Sequence, residues 1–301
     1  MTTKPQVIEE KATESCSRQM SKEDFFGDQI RFFNQSGFNG EQLQQRINNS
    51  RCLVVGGGEV GSHTLAILAD SGVGNFKVID ENTVEERFLA GSALLRAEDA
   101  GSSYAEGLKK RLEERNQFST VDNLTVNPLD KNELKSALKE TDCALICLDS
   151  PNPALLEAFN EAALQTKTPW LRGQIHRGEG IVGPTVIPGQ SACYKCYELR
   201  RNANLSNYEE VMQFESRLKE MPQIRTDSDT LRPVAALTAS ILALEALRIL
   251  SGAALPQLVA KYIRIDFRSF DFAPHRFLRL PNCPSCGYAK RRTLPQFKEM
   301  S

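Results

Sequence analysis

No apolar run in this 301-residue sequence approaches the roughly 20 residues that a membrane-crossing helix needs, so no membrane partner is expected. The amino-terminal stretch has no apolar core ahead of a small-residue cleavage site, so a secretory signal is not expected. An excess of one charge is also missing. Thirty-seven Lys and Arg stand against 38 Asp and Glu, and a formal net charge of −1 gives no long-range pull toward nucleic acid. No internal repeat is visible, and the eight cysteines are not placed as a disulfide framework. A cytoplasmic globular protein is what remains. Its 41% hydrophobic and 25% charged residues are an ordinary mixture, with chain enough for one large core or two modest ones.

The organising stretch lies at 51–80. A short apolar run at 52–55 reads as a parallel strand buried on both faces. Gly56, Gly57, Gly58 and Gly61 follow, and 62–69 then carries helical periodicity. A second apolar run at 76–79 ends in Asp80, 19 positions past Gly61. This is the strand–turn–helix–strand–acid order of a nucleotide-binding βαβ unit. Gly56 allows the tight turn, Gly58 lets backbone approach a phosphate, and Gly61 lets helix pack on sheet. The N–H groups at the helix start would face the phosphate, and Asp80 would hold a ribose hydroxyl. The same turn can equally persist in a protein that no longer binds a nucleotide.

Around this unit, residues 1–24 form a polar tail, expected to be disordered, with Cys16 unpartnered. Residues 25–38 hold five phenylalanines and read as one helix docked on the core or on a partner subunit, with a second helix at 42–47. A loop and short helix are expected at 81–96, an amphipathic helix at 104–115, a strand at 124–126 and a helix at 131–139. The run 143–148 is a buried strand ending in Asp149, where open α/β sheets bind ligands. A helix at 153–165, a strand at 170–172 and a hairpin within 178–186 come next. Residues 202–229 read as a long mobile loop with periodicity only at 208–218. A highly apolar helix at 234–250, late strands within 258–272 and a polar tail at 288–301 complete the chain. The organisation expected is one domain over 25–287, with a nucleotide-binding-type half to 150 and a zinc-containing half after it.

Cys193 and Cys196, then Cys283 and Cys286, are two CxxC knuckles separated by 86 residues. Each puts two thiolates on a tight turn, and the pairs together make a tetrahedral sulfur site for zinc. All four positions are filled by protein, so the site is closed and structural. The wide gap means the metal staples two remote parts of one fold. Redox-active pairs would need a thioredoxin-like setting that the sequence lacks. Cys143 and Cys147 read as core thiols.

A glycine-turn βαβ unit, an Asp after a later strand and two distant CxxC pairs flanking a long apolar helix resemble the ThiF/MoeB/HesA superfamily, the fold shared with ubiquitin-activating enzymes. The resemblance covers 25–287 and implies a Rossmann-like α/β fold with a mostly parallel sheet. The runs 188–201 and 280–287 look most like the cyclodehydratase-partner branch of thiazole/oxazole-modified peptide biosynthesis, which binds a precursor peptide. Such proteins often carry an added leader-recognition domain of which the 50 residues before the βαβ unit show no pattern. Related proteins are generally homodimers, and the phenylalanine-rich segment suits such an interface.

Active members of the superfamily adenylate a carboxylate with ATP and magnesium, which needs cations over crowded phosphates. The resemblance places the nucleotide contacts on Gly56, Gly58, Gly61 and Asp80, and a magnesium ligand on Asp149. The remaining pattern departs. A glycine is replaced by Glu59, an acid by Asn82, the Asn–x–x–Arg–Gln segment by Phe88, Gly91 and Ser92, the lysine by Tyr104, and an amino-terminal arginine by Asp28. Arg87 and Arg96 are the available substitutes, and no thioester cysteine lies between Cys196 and Cys283. Glu59 is expected to satisfy the helix N–H groups itself, as a stand-in for the anion. The expectation is therefore a scaffold with a degenerate ATP site, binding precursor peptide or cyclodehydratase. The alternative is a working adenylyltransferase acting on a peptide or carrier-protein carboxylate. A nicotinamide dehydrogenase fits poorly, because no His–Asp or Tyr–Lys arrangement stands out.

Overall fold

The computed structural model describes residues 21–176, 178–220 and 231–287. Residues 1–20 of the expected tail with Cys16, 221–229 of the expected loop, and the tail at 288–301 lie outside the described residues. The first half runs α1 (Lys22–Phe25), α2 (Gly27–Gln35), α3 (Gly40–Asn49), β1 (Arg51–Val55), α4 (Glu59–Asp70), β2 (Asn75–Ile79), α5 (Glu86–Leu89), α6 (Tyr104–Arg115), β3 (Thr120–Asn123), α7 (Lys131–Leu138) and β4 (Cys143–Leu148). Then come α8 (Pro153–Thr166), β5 (Trp170–His176), β6 (Glu179–Val182), α9 (Tyr194–Ala203), α10 (Tyr208–Glu220), α11 (Arg232–Ser251), β7 (Lys261–Asp266) and β8 (Asp271–Arg276).

One eight-stranded sheet has the order β3-β2-β1-β4-β5-β6-β7-β8. The strands from β3 to β5 are parallel, and β6, β7 and β8 add in antiparallel sense. Helices cover both faces of the parallel part. On one side Val54 and Leu145 pack with Leu65, Leu108 and Leu242, from α4, α6 and α11. On the other, Leu53 and Ile146 pack with Leu134, Phe159 and Tyr194, from α7, α8 and α9. Alternate residues of β1 and β4 thus enter two cores, which is why these strands read as unbroken apolar runs. The Rossmann-like α/β fold with a mostly parallel sheet is as the sequence implied.

Several boundaries differ from the sequence expectations. The phenylalanine-rich helix is broken into α1 and α2 at Phe26, the only one of its five phenylalanines that is buried. The third strand lies at Thr120–Asn123, ahead of the expected 124–126, because pairing with β2 sets its register. Residues 178–186 do not fold on themselves; β6 pairs back onto the longer β5 (Gly173 opposite Val182). The described part of the expected loop is largely helical, since α9 reaches Ala203 and α10 begins at Tyr208. Contrary to the expectation from apolar runs, α11 has the length and hydropathy of a membrane span. It is a core helix here: Val234, Ala239, Leu242, Ala243 and Ala246 are buried in the cluster that includes α4 and β5.

The sheet order reverses between β1 and β4: the chain leaves β1 toward β2 on one side and returns to β4 on the other. The loops after the two strands therefore diverge and open a crevice at their carboxyl ends. The glycine turn, Asp80 and Asp149 all lie at that edge.

Candidate functional site

The turn after β1 is built by close approaches that a side chain would block. Gly56 has φ +90° and donates its N–H to the Ile79 carbonyl at 2.9 Å. A Cβ on Gly61 would overlap the Gly56 carbonyl, so this glycine sets the distance of α4 from β1. A Cβ on Gly58 would overlap the Asp149 carboxylate. The two acids are drawn into the turn from neighbouring strands. Gly57 N donates to Asp80 Oδ2 at 2.7 Å, and Asp80 Oδ1 accepts from the Asn82 backbone and side chain at 2.9 and 2.7 Å. Glu59 N donates to Asp149 Oδ2 at 2.9 Å and Val60 N to Oδ1 at 3.3 Å.

Asp149, not Glu59, thus occupies the amino-terminal end of α4 where an anion would sit. This corrects the role given to Glu59. Its side chain lies instead over Gly91, and its Oε2 is buried with no hydrogen-bond partner. Burial, and then the nearby Asp149, raise the Glu59 pKa above its ordinary 4.5, and Arg232 opposes them. The sign of the linkage follows. A carboxyl whose folded pKa is raised carries no penalty below its unfolded value and the full penalty above the folded one. Glu59→Gln is therefore expected to be more stable than wild type at pH 7, with the difference closing as pH falls toward 4.5. Paired thermal melts from pH 7 to 4 check this; a constant difference would show that the charge is not the cause.

A cavity of about 530 Å³ opens beside the turn. Gly56, Gly58, Asp80 and Asp149 line it together with Glu81 and Asn82, and no basic residue is among its described lining. Arg87 and Arg96 do not line it; Arg87 pairs with Glu85 at 2.9 Å. Tyr104 is buried with its ring beside the glycine turn, and a tyrosine there supplies no cation. The crevice brings five of the expected residues together, Gly61 from beneath, but supplies acids where phosphates need cations.

The second centre unites the two knuckles. Cys193 is the N-cap of α9 and Cys196 lies in its first turn, while Cys283 and Cys286 sit in a turn closed by Gly287 N donating to the Cys283 carbonyl at 2.8 Å. Sulfur separations are 3.9 Å (Cys193–Cys196), 3.7 Å (Cys193–Cys283) and 3.5 Å (Cys196–Cys286), and all four lie within 4.8 Å of one another. A tetrahedron with zinc–sulfur bonds of about 2.3 Å has edges of about 3.8 Å, so the cluster fits that ion. Leu280 N, 3.4 Å from Cys196 Sγ, supplies a backbone donor to sulfur. With protons alone the sulfurs share charge unevenly. Hydrogen bonds from Cys193 and Cys196 draw Cys286 down to about 3, and contacts to Cys196 and Cys286 push Cys193 up. Cys52, Cys143 and Cys147 are buried in the other core, and burial raises all three thiols, Cys147 to about 12. They are not candidates for reaction at neutral pH.

Sequence reasoning passed over Arg172. It lies on β5 with Trp170, Gln174 and His176 on one face, while Leu171 and Ile175 enter the opposite core. The signal was available: a strand covered on both sides should not carry polar residues at every second position.

The ThiF family model matches residues 28–286. The molybdopterin-synthase adenylyltransferase of Escherichia coli K12 is 26% identical over 245 residues, covering 81% of this chain and 90% of that protein. The sulfur carrier protein adenylyltransferase of Thermus thermophilus is 27% identical over 252 residues, covering 82% and 86%. Among solved structures, the microcin C7 biosynthetic enzyme MccB in complex with N-formylated MccA superposes with a TM-score of 0.76 at 23% identity, over 88% of this chain and 76% of that one. E. coli MccB with ATP gives a TM-score of 0.74 at 22% identity, over 88% and 75%.

Proposed function

Because this chain belongs to the ThiF family, we propose that it keeps an adenylyltransferase fold as a scaffold whose nucleotide site no longer supports adenylation. The scaffold binds a precursor peptide or a cyclodehydratase within a cytoplasmic modified-peptide pathway of thiazole/oxazole or bacteriocin type. One observation carries the loss of adenylation. The crevice is lined by Asp80, Glu81 and Asp149 with no base among the described lining, and Asp149 already holds the N–H groups that would meet phosphate. The likeness to MccB, solved with a peptide, supports a peptide partner. The knuckle runs support the cyclodehydratase branch. Structural zinc is held by Cys193, Cys196, Cys283 and Cys286. Gly56, Gly58, Gly61, Asp80 and Asp149 are the remnant of the ATP and magnesium site.

Losing one charge-assisted contact costs about 1.5–3 kcal/mol, so two losses weaken a nucleotide by roughly 10²–10⁴-fold. Magnesium-ATP is expected to give no calorimetric signal at micromolar concentration, and ATP–pyrophosphate exchange is expected to be absent with or without peptide. Peptide-dependent exchange would favour the second reading, an adenylyltransferase in which a peptide or carrier-protein carboxylate displaces pyrophosphate from ATP. That reading has its own support in the adenylyltransferase relatives and in the retained glycines, Asp80 and Asp149.

A homodimer is the assembly we propose. Phe25, Phe32 and Phe38 are 43%, 64% and 43% exposed on the amino-terminal helices and the turn that follows them, and a partner protomer would cover them. Light scattering at micromolar concentration is expected to give twice the chain mass, and Phe32→Glu to shift it toward the monomer. A monomeric wild type would remove this assembly.

A further inference from the structure

Arg172 is 4% exposed, yet among the described residues no carboxylate pairs with it. Its Nε donates to the Gly183 carbonyl at 3.0 Å and its Nη1 to Gln174 Oε1 at 3.3 Å. The guanidinium carbon lies 5.3 and 5.0 Å from the ring centres of Tyr194 and Tyr197. A guanidinium has five N–H donors, and the protein engages two of them. A buried cation without a counter-ion is costly, and aromatic faces offset only part of that cost.

The side chain borders a second cavity of about 420 Å³. That cavity shares Pro151 and Asn152 with the crevice beside Asp149, so the two are adjacent. Its walls are largely apolar: Leu156 and Ile181 from the core side, and Phe214 and Leu218 from α10. The other arginine on the wall, Arg201, is paired with Glu215 at 2.7 Å. Among the described lining, Arg172 is the arginine not matched by a carboxylate.

We propose that this cavity is a carboxylate-binding subsite, with Arg172 as its anion contact, for a carboxylate carried on an apolar peptide segment. The inference deepens the peptide-binding reading above and rests on it. A planar guanidinium offers two parallel N–H groups to a carboxylate, and burial strengthens that pair against competition from water. Rings and aliphatic walls take the apolar side chain beside it. The carboxylate can come from a peptide's own carboxyl terminus or from an acidic side chain.

The test uses the full-length protein and titrations followed by saturation-transfer NMR. The probes are N-acetylphenylalanine, its amide, and the amidated dipeptide N-acetylglutamylphenylalaninamide. The free acid is expected to bind at least tenfold more tightly than the amide. The amidated glutamyl peptide matching the acid assigns the subsite to side chains; matching the amide assigns it to the carboxyl terminus. Arg172→Gln is expected to erase the preference for acid over amide. Phe214→Ala, on a half-exposed helix position, is expected to weaken both probes several-fold while the preference stays, and it needs no change to the core. Equal binding of acid and amide by wild type, a preference that survives Arg172→Gln, or no effect of Phe214→Ala would overturn the subsite. Pyrophosphate exchange plays no part in this test, so its result and that of the nucleotide reading separate.

Discussion

With the proposed zinc on the four cysteines, Cys283→Ser is expected to abolish metal binding and to lower the unfolding midpoint by about 10 °C or more. The cluster joins residues 90 apart at each pairing, Cys193 with Cys283 and Cys196 with Cys286. The first knuckle begins α9, whose Tyr194 and Tyr197 pack in a chain of rings from Trp170 to Phe277 and Tyr262. The second follows β8, tied back by Arg200 Nε donating to the Leu278 carbonyl at 2.7 Å. The Phe277 ring against Tyr197 and Phe277 N donating to the Ala260 carbonyl at 3.1 Å also hold this last segment, and a zinc ion on the four sulfurs would add a direct link between it and α9. Structural zinc binds folded thiolates with about 10–16 kcal/mol in small domains, and losing even a third of that destabilises a protein of this size severely. The ligand change also loosens α9, one wall of the carboxylate cavity. Metal analysis with thermal melts, with and without a chelator, checks this. Well under one zinc per wild-type chain, or a variant that melts with wild type, would remove the staple.

Glu245→Ala is expected to cost about 3–5 kcal/mol, as breaking a buried charged network does. Glu245 is 1% exposed on α11 and faces the loops around β6 and β7 at Thr185, Gln257 and Leu258. Oε1 accepts from Thr185 Oγ1 at 3.0 Å and from Leu258 N at 2.5 Å; Oε2 accepts from Gln257 N at 3.0 Å and pairs with Arg248 at 3.2 Å. Alanine leaves Thr185 Oγ1 and Leu258 N, both on buried residues, without this partner, and a buried donor without a partner is penalised, whereas Gln257 and Arg248 reach water. Glu245→Gln keeps the shape but returns a donor where acceptors are needed, so an intermediate loss is expected. Urea unfolding of the three proteins provides the measure. A loss under about 1 kcal/mol for alanine would mean that water replaces the carboxylate, against its burial.

The sequence by itself determined the elements whose cause is local. Short apolar runs ended by glycine or an acid place β1, β2 and β4, and in β1 and β4 the run is unbroken over 52–55 and 143–148 because both faces are buried. Helical periodicity places α6, α7, α8 and α11 to within two residues or so, and knuckle spacing names the four sulfurs before any geometry is known. The tertiary structure decided what depends on a distant partner. Glu59 reads as the anion stand-in because it is next to the turn, but Asp149, 90 residues on, holds the helix N–H groups. The phenylalanines at 25–38 look alike in sequence, yet only Phe26 is buried, because the body of the protein covers one side of that segment. Arg172 stands in a strand whose faces are set by neighbours far along the chain, so its burial without a counter-ion appears only once β5 is packed under α8 and α9. Periodicity is a property of a few consecutive residues, whereas the charge balance of a cavity belongs to every segment that lines it.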